Sequence, residues 1–459
     1  MARVAGSTQT PAPAAGDGAA ADADGAAGVR IRMYRVGFGD FFLVSIPSGD
    51  GLAHILVDCG VHAHDLGAMP AALTRMKADT GGRLALVIMT HRHADHISGF
   101  ATGRDLFSTF QVERVWMSWF EDPTDQVGAR IQSQLTAIAR RLQAALGARR
   151  APGDEPYQNM AGNILGAAAN GGNDAALEVL RSFKTPDGAA TPVDYYRAGD
   201  TANLPPSLVG AGLTAQILGP PTDLALVAQM DNHAHQYLTA GSGDADDARP
   251  FDPAFDAGPL VWPKLEGDPH WLEPLYDDAD IQKHIADNTP DALAAAAQTA
   301  DNAINNQSLV VLFRFKGKSM LFCGDAQWGN WANFLFGGAI GAGQATLKPE
   351  SRDILATLDF LKVGHHGSTN ATPMDVVDAL RTGCAAMCST DPGAYGNPDK
   401  GTEVPRVPLI QALTAKTNQQ LARSDQVSVN GHDPTPNLGP LPAVFSAGPD
   451  NSQFVDYTL

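Results

Sequence analysis

The stretch Thr90–Phe100 reads THRHADHISGF and crowds His91, His93, Asp95 and His96 into one short segment. Imidazole and carboxylate are the ligands that zinc, manganese and iron take at hydrolytic sites. His91 and His93, alternating on a short loop, can turn to one side and share one cation. The adjacent Asp95 and His96 turn toward a second position nearby. With only 13 histidines in 459 residues, chance is a poor account of this cluster, and a solvated polar loop is the weaker reading. The chemistry that such a set serves is hydrolysis by a metal-activated water.

Something must deliver the loop. RLALVIMT, just before it, fits a buried strand ending at the motif, and sites in α/β proteins often lie at such strand ends. Residues 29–60 are rich in Val, Ile, Leu and Phe, broken by Gly and by PSGDG, and predict a meander of two or three strands. AMPAALTRMKA predicts a helix. Over residues 104–222 the strand-like VERVWMSWF and LTAQILGPP alternate with helical patterns at GARIQSQLTAIARRLQAALGARR and DAALEVLRSF. SLVVLFRFKGKSMLFCGDAQ gives two strands joined by KGKS, and LDFLKVGHHGST another. PMDVVDALR and VPLIQALTAKT read as helices, and CAAMCST as a strand. Two β-rich blocks with helices outside them suit two packed β layers. Residues 223–302, dense in Pro, Gly and Asp, predict a loop-rich insertion or lid within a single domain spanning residues 29–459. Residues 1–28 predict a disordered tail.

Composition narrows the partners. The net charge is −18, from 32 basic and 50 acidic residues, which disfavours non-specific nucleic-acid binding unless a local patch reverses the field. Cys59, Cys323, Cys384 and Cys388 lack the close pairing of a structural zinc site and read as buried apolar filler. No signal-peptide pattern and no bilayer-length apolar stretch is present, so a soluble cytoplasmic protein with no membrane partner is expected.

THRHADHISG resembles the HxHxDH signature of the metallo-β-lactamase fold, and other segments resemble further motifs of that family. ILVDCG resembles the strand whose Asp, here Asp58, supports the metal loop from behind the ligands. LFCGD resembles the segment whose Asp, here Asp325, bridges two metals. LKVGHHGS resembles the segment whose His closes the second site. The order GFGD, NNQSLV, LFCGD, LKVGHHGS is similar, over residues 30 to about 390, to the hydrolase domain of ComEC-type competence proteins and their soluble relatives. The resemblance implies an αββα sandwich, two divalent cations (zinc, with manganese as the alternative), and a ligand set of His91, His93, Asp95, His96, Asp325 and one or both of His365 and His366.

Two departures from the family pattern stand out. Asn306 in NNQSLV stands where most members place a third histidine for the first metal, so it joins the expected ligands as a weaker one. His233 or His235 in DNHAHQYL is the alternative supplier of a nitrogen. Phe38 replaces a polar residue in GFGD and would alter the pocket wall. Asp95, His365, His366 and Lys362 are the expected catalytic residues: Asp95 to orient hydroxide, a histidine as acid or substrate contact, and Lys362 to place charge near a phosphate. For Lys362, packing of its stem along the sheet is an equal reading. Ser368 reads first as a turn residue, and Asp40 and Asp359 as structural groups fixing loops around the cradle. His62 and His64 are weak candidate ligands. His54, His270, His284 and His432 have no supporting neighbours. Core packing is favoured over a substrate wall for Trp262, Trp271 and Trp328.

The expected activity is hydrolysis of a phosphodiester, nucleotide or nucleic-acid-derived, by a metal-activated hydroxide at a dinuclear site. The net charge favours a small substrate over long DNA. Hydrolysis of a carboxylic ester or lactone is the alternative within enzymes, since one fold hosts many chemistries. A non-catalytic metal-containing binding or sensor protein is the alternative outside them.

Overall fold

The computed structural model describes residues 28–49, 51–149, 155–166, 172–237, 301, 303–338, 340, 346–396, 398 and 401–459. The expected tail, and most of the expected insertion with Trp262, Trp271, His270 and His284, lie outside the described residues.

The chain is mixed α/β with two mixed sheets. The first contains β1 (Arg30–Tyr34), β2 (Phe41–Ser48), β3 (Gly51–Cys59), β4 (Arg83–Met89), β5 (Gln111–Ser118) and β6 (Val193–Tyr196). The second contains β7 (Thr214–Gly219), β8 (Val310–Phe315), β9 (Lys318–Phe322), β10 (Phe360–Lys362), β11 (Ala385–Cys388) and β12 (Leu421–Arg423). Two late strands, β13 (Phe445–Ala447) and β14 (Phe454–Thr458), rejoin the first sheet, where β14 pairs antiparallel with β1 and sets Arg30 opposite Thr458. The sheet orders are β13-β14-β1-β2-β3-β4-β5-β6 and β12-β11-β10-β9-β8-β7.

The alternation of side chains along each strand explains how the sheets pack. In β8, Val311, Phe313 and Phe315 enter a cluster shared with Met33, Phe42, Ile55, Ile88 and Trp116 of the first sheet. The intervening Val310 and Leu312 face a different cluster, with Trp331, Leu355, Leu409 and Leu413 from helices. The other face of the first sheet meets Leu73, Met76, Phe100 and Leu177, also from helices. Burying each large apolar side chain in these clusters contributes roughly 1.5–3 kcal/mol. The four thiols are buried and unbridged.

Strand direction decides where function can sit. β3 and β4 run parallel, as do β9, β10 and β11. The carboxyl ends of these strands release the segments singled out in the sequence: Asp58 ends β3, His91 follows β4, Asp325 follows β9, and His365 and His366 follow β10.

Candidate metal centre

The helix Ala94–Thr102 begins at the motif itself, with His93 at its N-cap and the Asp95 carboxylate in its first turn, where the helix dipole favours negative charge. Tight packing holds this turn. A Cβ on Gly60 would lie 2.4 Å from the Asp95 carbonyl carbon, so β3 can pass this close only with glycine there. Gly324 has φ of +51° and would place a Cβ 2.8 Å from that of Thr90, so it also needs its missing side chain. Asp58, His365 and His366 are non-glycine residues with φ of 54°, 42° and 54°. Left-handed backbone of this kind persists where surrounding contacts enforce it, and it clusters at functional sites.

Ligand atoms of Asp95, His96, Asp325 and His366 all lie within 4.8 Å of one another and are buried, and those of His91, His93 and Asp95 form an adjoining group. His96 Nε2 is 3.0 Å from Asp325 Oδ2, and His366 Nε2 is 3.1 Å from Asp95 Oδ2 and 3.5 Å from Asp325 Oδ2. His91 Nε2 faces His93 Nδ1 at 3.1 Å. His96 Nε2, Asp95 Oδ1 and Asp325 Oδ2 are buried without a hydrogen-bond partner among the described residues. Atoms that converge without being aligned for hydrogen bonds suit a shared cation.

The tautomers follow from what lies behind each ring. Asp58 accepts from the Thr90 amide at 2.8 Å, the Thr90 hydroxyl at 2.7 Å and His96 Nδ1 at 2.8 Å. With its proton given to Asp58, the Thr90 oxygen accepts from His91 Nδ1 at 3.1 Å. His366 Nδ1 donates to the Ser389 carbonyl at 2.9 Å. Each of these three rings therefore turns its Nε2 toward the cluster.

Charge agrees with this arrangement. Burial lowers His91 well below the usual imidazole range and pushes His93 down to about 3, leaving both neutral, the form that binds metal. Burial also opposes charge on His96 and His366, but Asp325 and the neighbouring carboxylates outweigh it and raise both. The pocket thus attracts positive charge where Asp95, Asp325, Asp58 and Asp40 meet.

Several expected site residues stand elsewhere. Asn306 is not brought to the cluster: its Oδ1 accepts from the amides of Gln327 at 3.2 Å and Asn330 at 3.1 Å, and its Nδ2 donates to the Leu226, Val227 and Gln229 carbonyls. That uses the amide's full capacity and leaves no lone pair for a cation. Its neighbour Asn305 faces the site instead, with Nδ2 3.2 Å from His365 Nε2. His365 is half-buried and outside the ligand groups; its Nδ1 meets Ser368 Oγ at 2.8 Å, and its amide donates to Asp325 Oδ1 at 3.1 Å.

Lys362 is buried, and Nζ is committed to the Gly324 carbonyl at 2.9 Å, to Asp325 and to Asp40. Burial opposes its charge, but Asp40 and Asp325 hold it protonated. It positions Asp325 from behind rather than meeting substrate. Asp359 bonds the Ser319 amide at a strand end, away from the cluster. His235 bonds Asp375 at 2.5 Å and packs tilted against Trp328, which lies in a small apolar cluster, and neither His233 nor His235 joins the ligand groups. His62 bonds the Asn159 carbonyl and His64 bonds Asp391.

Asp301, Asn305, Ser389 and Tyr395 were not legible as site residues. Asp301 Oδ1 lies 3.5 Å from His93 Nε2. Phe38 packs its ring 4.1 Å from that of His366, with Tyr395 beyond it at 4.9 Å. Asn305 lies within NNQSLV and Asp301 just before it, so that motif could have flagged both; nothing in the sequence around Tyr395 does so.

A scan against protein-family models finds no match for this chain, and a search of curated proteins finds none either. A mixed α/β chain with a buried His/Asp cluster able to hold a metal ion is compatible with the metallo-β-lactamase fold.

Proposed function

We propose that the protein is a metal-dependent hydrolase of the metallo-β-lactamase type, an αββα sandwich acting on a small phosphodiester. The observation that carries this reading is the set of buried ligand atoms converging from the strand ends of both sheets: His91, His93, Asp95 and His96 from one, Asp325 and His366 from the other. Two cations fit the two adjoining groups, with Asp95 common to both. Zinc suits the nitrogen-rich donors, and manganese is the alternative.

Divalent cations here would supply the charge that makes a water nucleophilic near neutral pH and that stabilises a developing oxyanion. The chain's own residues do the rest. Asp58, through His96 and Thr90, fixes which nitrogens face the site. Lys362 balances Asp40 and Asp325 so that these carboxylates can be buried together. Asp95, while holding a cation, would orient the attacking water, and the half-buried His365 would border the place where a leaving group departs. A phosphodiester is favoured by the resemblance to competence-type hydrolases, and a small one by the net charge of −18.

The test is metal content by mass spectrometry together with turnover of bis(p-nitrophenyl) phosphate, a carboxylic ester and a β-lactam, in wild type, Asp325→Ala and His93→Ala. Metal-dependent turnover of the phosphodiester, lost in both variants, is expected. Turnover unchanged in both would sink the assigned site, and bound metal without turnover of any substrate would favour a binding protein.

A further inference from the structure

Tyr395 lies in the segment after β11, and no step above uses it. Its backbone carbonyl accepts from the Val404 amide at 3.2 Å, and the preceding Ala394 is buried against Phe38 and Ala63. The ring is fixed from the other side too, because Phe38 sits between it and the ring of His366, with centroid separations of 4.9 Å and 4.1 Å. Packed in this way, with both ring pairs tilted, the phenol keeps a set offset from a histidine of the cluster.

The hydroxyl is the informative atom. Tyr395 as a residue is only half-buried, yet its hydroxyl oxygen is buried and has no hydrogen-bond partner among the described residues. The solvent-facing part is therefore the rest of the residue, and the hydroxyl points inward, within electrostatic reach of Asp301 and Asp95. A buried hydroxyl without a partner costs about 1–3 kcal/mol, so an arrangement of this kind calls for a ligand atom. A phenol is an O–H donor at neutral pH at its ordinary value, and burial, then Asp301 and Asp95, push it further up. Tyr34 supplies a contrast. Its hydroxyl is also buried and, by hydrogen-bond geometry, unpartnered among the described residues, but its charged neighbours are Arg32, Asp79 and Asp456 of the first sheet and its helix, not the carboxylates of the metal cluster.

We propose that the Tyr395 hydroxyl donates a hydrogen bond to a non-bridging phosphoryl oxygen of the substrate, making it a specificity-determining residue for an anionic tetrahedral group. The proposal rests on the phosphodiester reading above for the identity of that group. Lys362 and Ser368 are unavailable for the task, since both are committed within the protein.

The experiment uses the full chain loaded with zinc and compares wild type with Tyr395→Phe and Tyr34→Phe. Inorganic phosphate affinity is measured by titration calorimetry, kcat and KM on bis(p-nitrophenyl) phosphate, and metal content by mass spectrometry. A hydrogen bond to a charged oxygen predicts phosphate binding about 10- to 100-fold weaker in Tyr395→Phe, with metal content intact and Tyr34→Phe like wild type. Unchanged phosphate affinity in Tyr395→Phe overturns the proposal, as does loss of metal in that variant or a wild type that binds zinc but no phosphate. Phosphate binding that depends on Tyr395 without any phosphodiester turnover supports the donor and sinks only the hydrolase reading.

Discussion

The four histidines of the centre differ in what holds the nitrogen that faces away from it. His96 donates to the Asp58 carboxylate and His366 to a main-chain carbonyl, two strong and immobile acceptors. Among the described residues, His91 has only the hydroxyls of Thr90 and Ser308, at 3.1 Å and 3.3 Å. For His93 the outer group is Asp301 at 3.5 Å, a distance too long for a firm hydrogen bond. The half built from Asp95, His96, Asp325 and His366 is therefore preorganised, while the His91/His93 half depends on a carboxylate at the edge of a segment outside the described residues. Outer acceptors set both the orientation and the basicity of a metal-binding imidazole. The two halves should then differ in affinity and respond to different substitutions.

The largest effect is expected from removing the carboxylate at the heart of the preorganised half. Asp325→Ala deletes the group that faces His96, His366 and Lys362, and should lower phosphodiester turnover by more than about a thousandfold with loss of bound metal. Retention of both cations, seen by mass spectrometry after gel filtration, would contradict the assignment of that half. Next comes Lys362→Met, which leaves Asp40 and Asp325 buried beside one another with only His96 and His366 to offset their charge. Breaking a buried pair on one side costs about 3–5 kcal/mol. Denaturant unfolding should show that loss, and added zinc should restore part of it, because the cation replaces the missing charge. A purely catalytic Lys362 would instead lower turnover with stability untouched.

The buried His/Asp cluster was readable because its residues sit where the chain's periodicity breaks. The apolar runs of β3, β4, β9 and β10 each end in the residues that matter, so strand pattern and chemistry pointed to the same places. The late strand β14 left no such mark, since five residues with mixed exposure do not announce a partner more than 400 positions earlier. Asn306 was misplaced for a related reason. Two adjacent asparagines are equivalent in the sequence, and only the tertiary contacts show that Asn305 faces His365 while Asn306 binds main-chain groups around residues 226–229 and the start of the helix Trp328–Phe336. The division is testable. Asn306→Ala should cost about 3 kcal/mol of stability by stranding those buried groups, with two cations still bound by the folded protein. A lost cation with unchanged stability would return Asn306 to the ligand set.

The smallest expected effect falls on the weaker half and separates it from the stronger one. Burial, then Asp95 and Asp325, push the Asp301 carboxyl well up, and a cation held nearby would favour its ionised form; Asp301→Asn preserves shape but removes that carboxylate, so His93 becomes a poorer and less firmly aimed donor through Nδ1. Losing an outer carboxylate typically lowers metal affinity about 10- to 100-fold. The ring nitrogens of His96 and His366 keep their own acceptors, so the second cation should be untouched. Competition with a chromophoric chelator resolves the two steps: the weaker one should shift and the tighter one should not. Equal weakening of both steps would mean that the halves share one support through Asp95, and an unchanged titration would leave Asp301 without influence on His93.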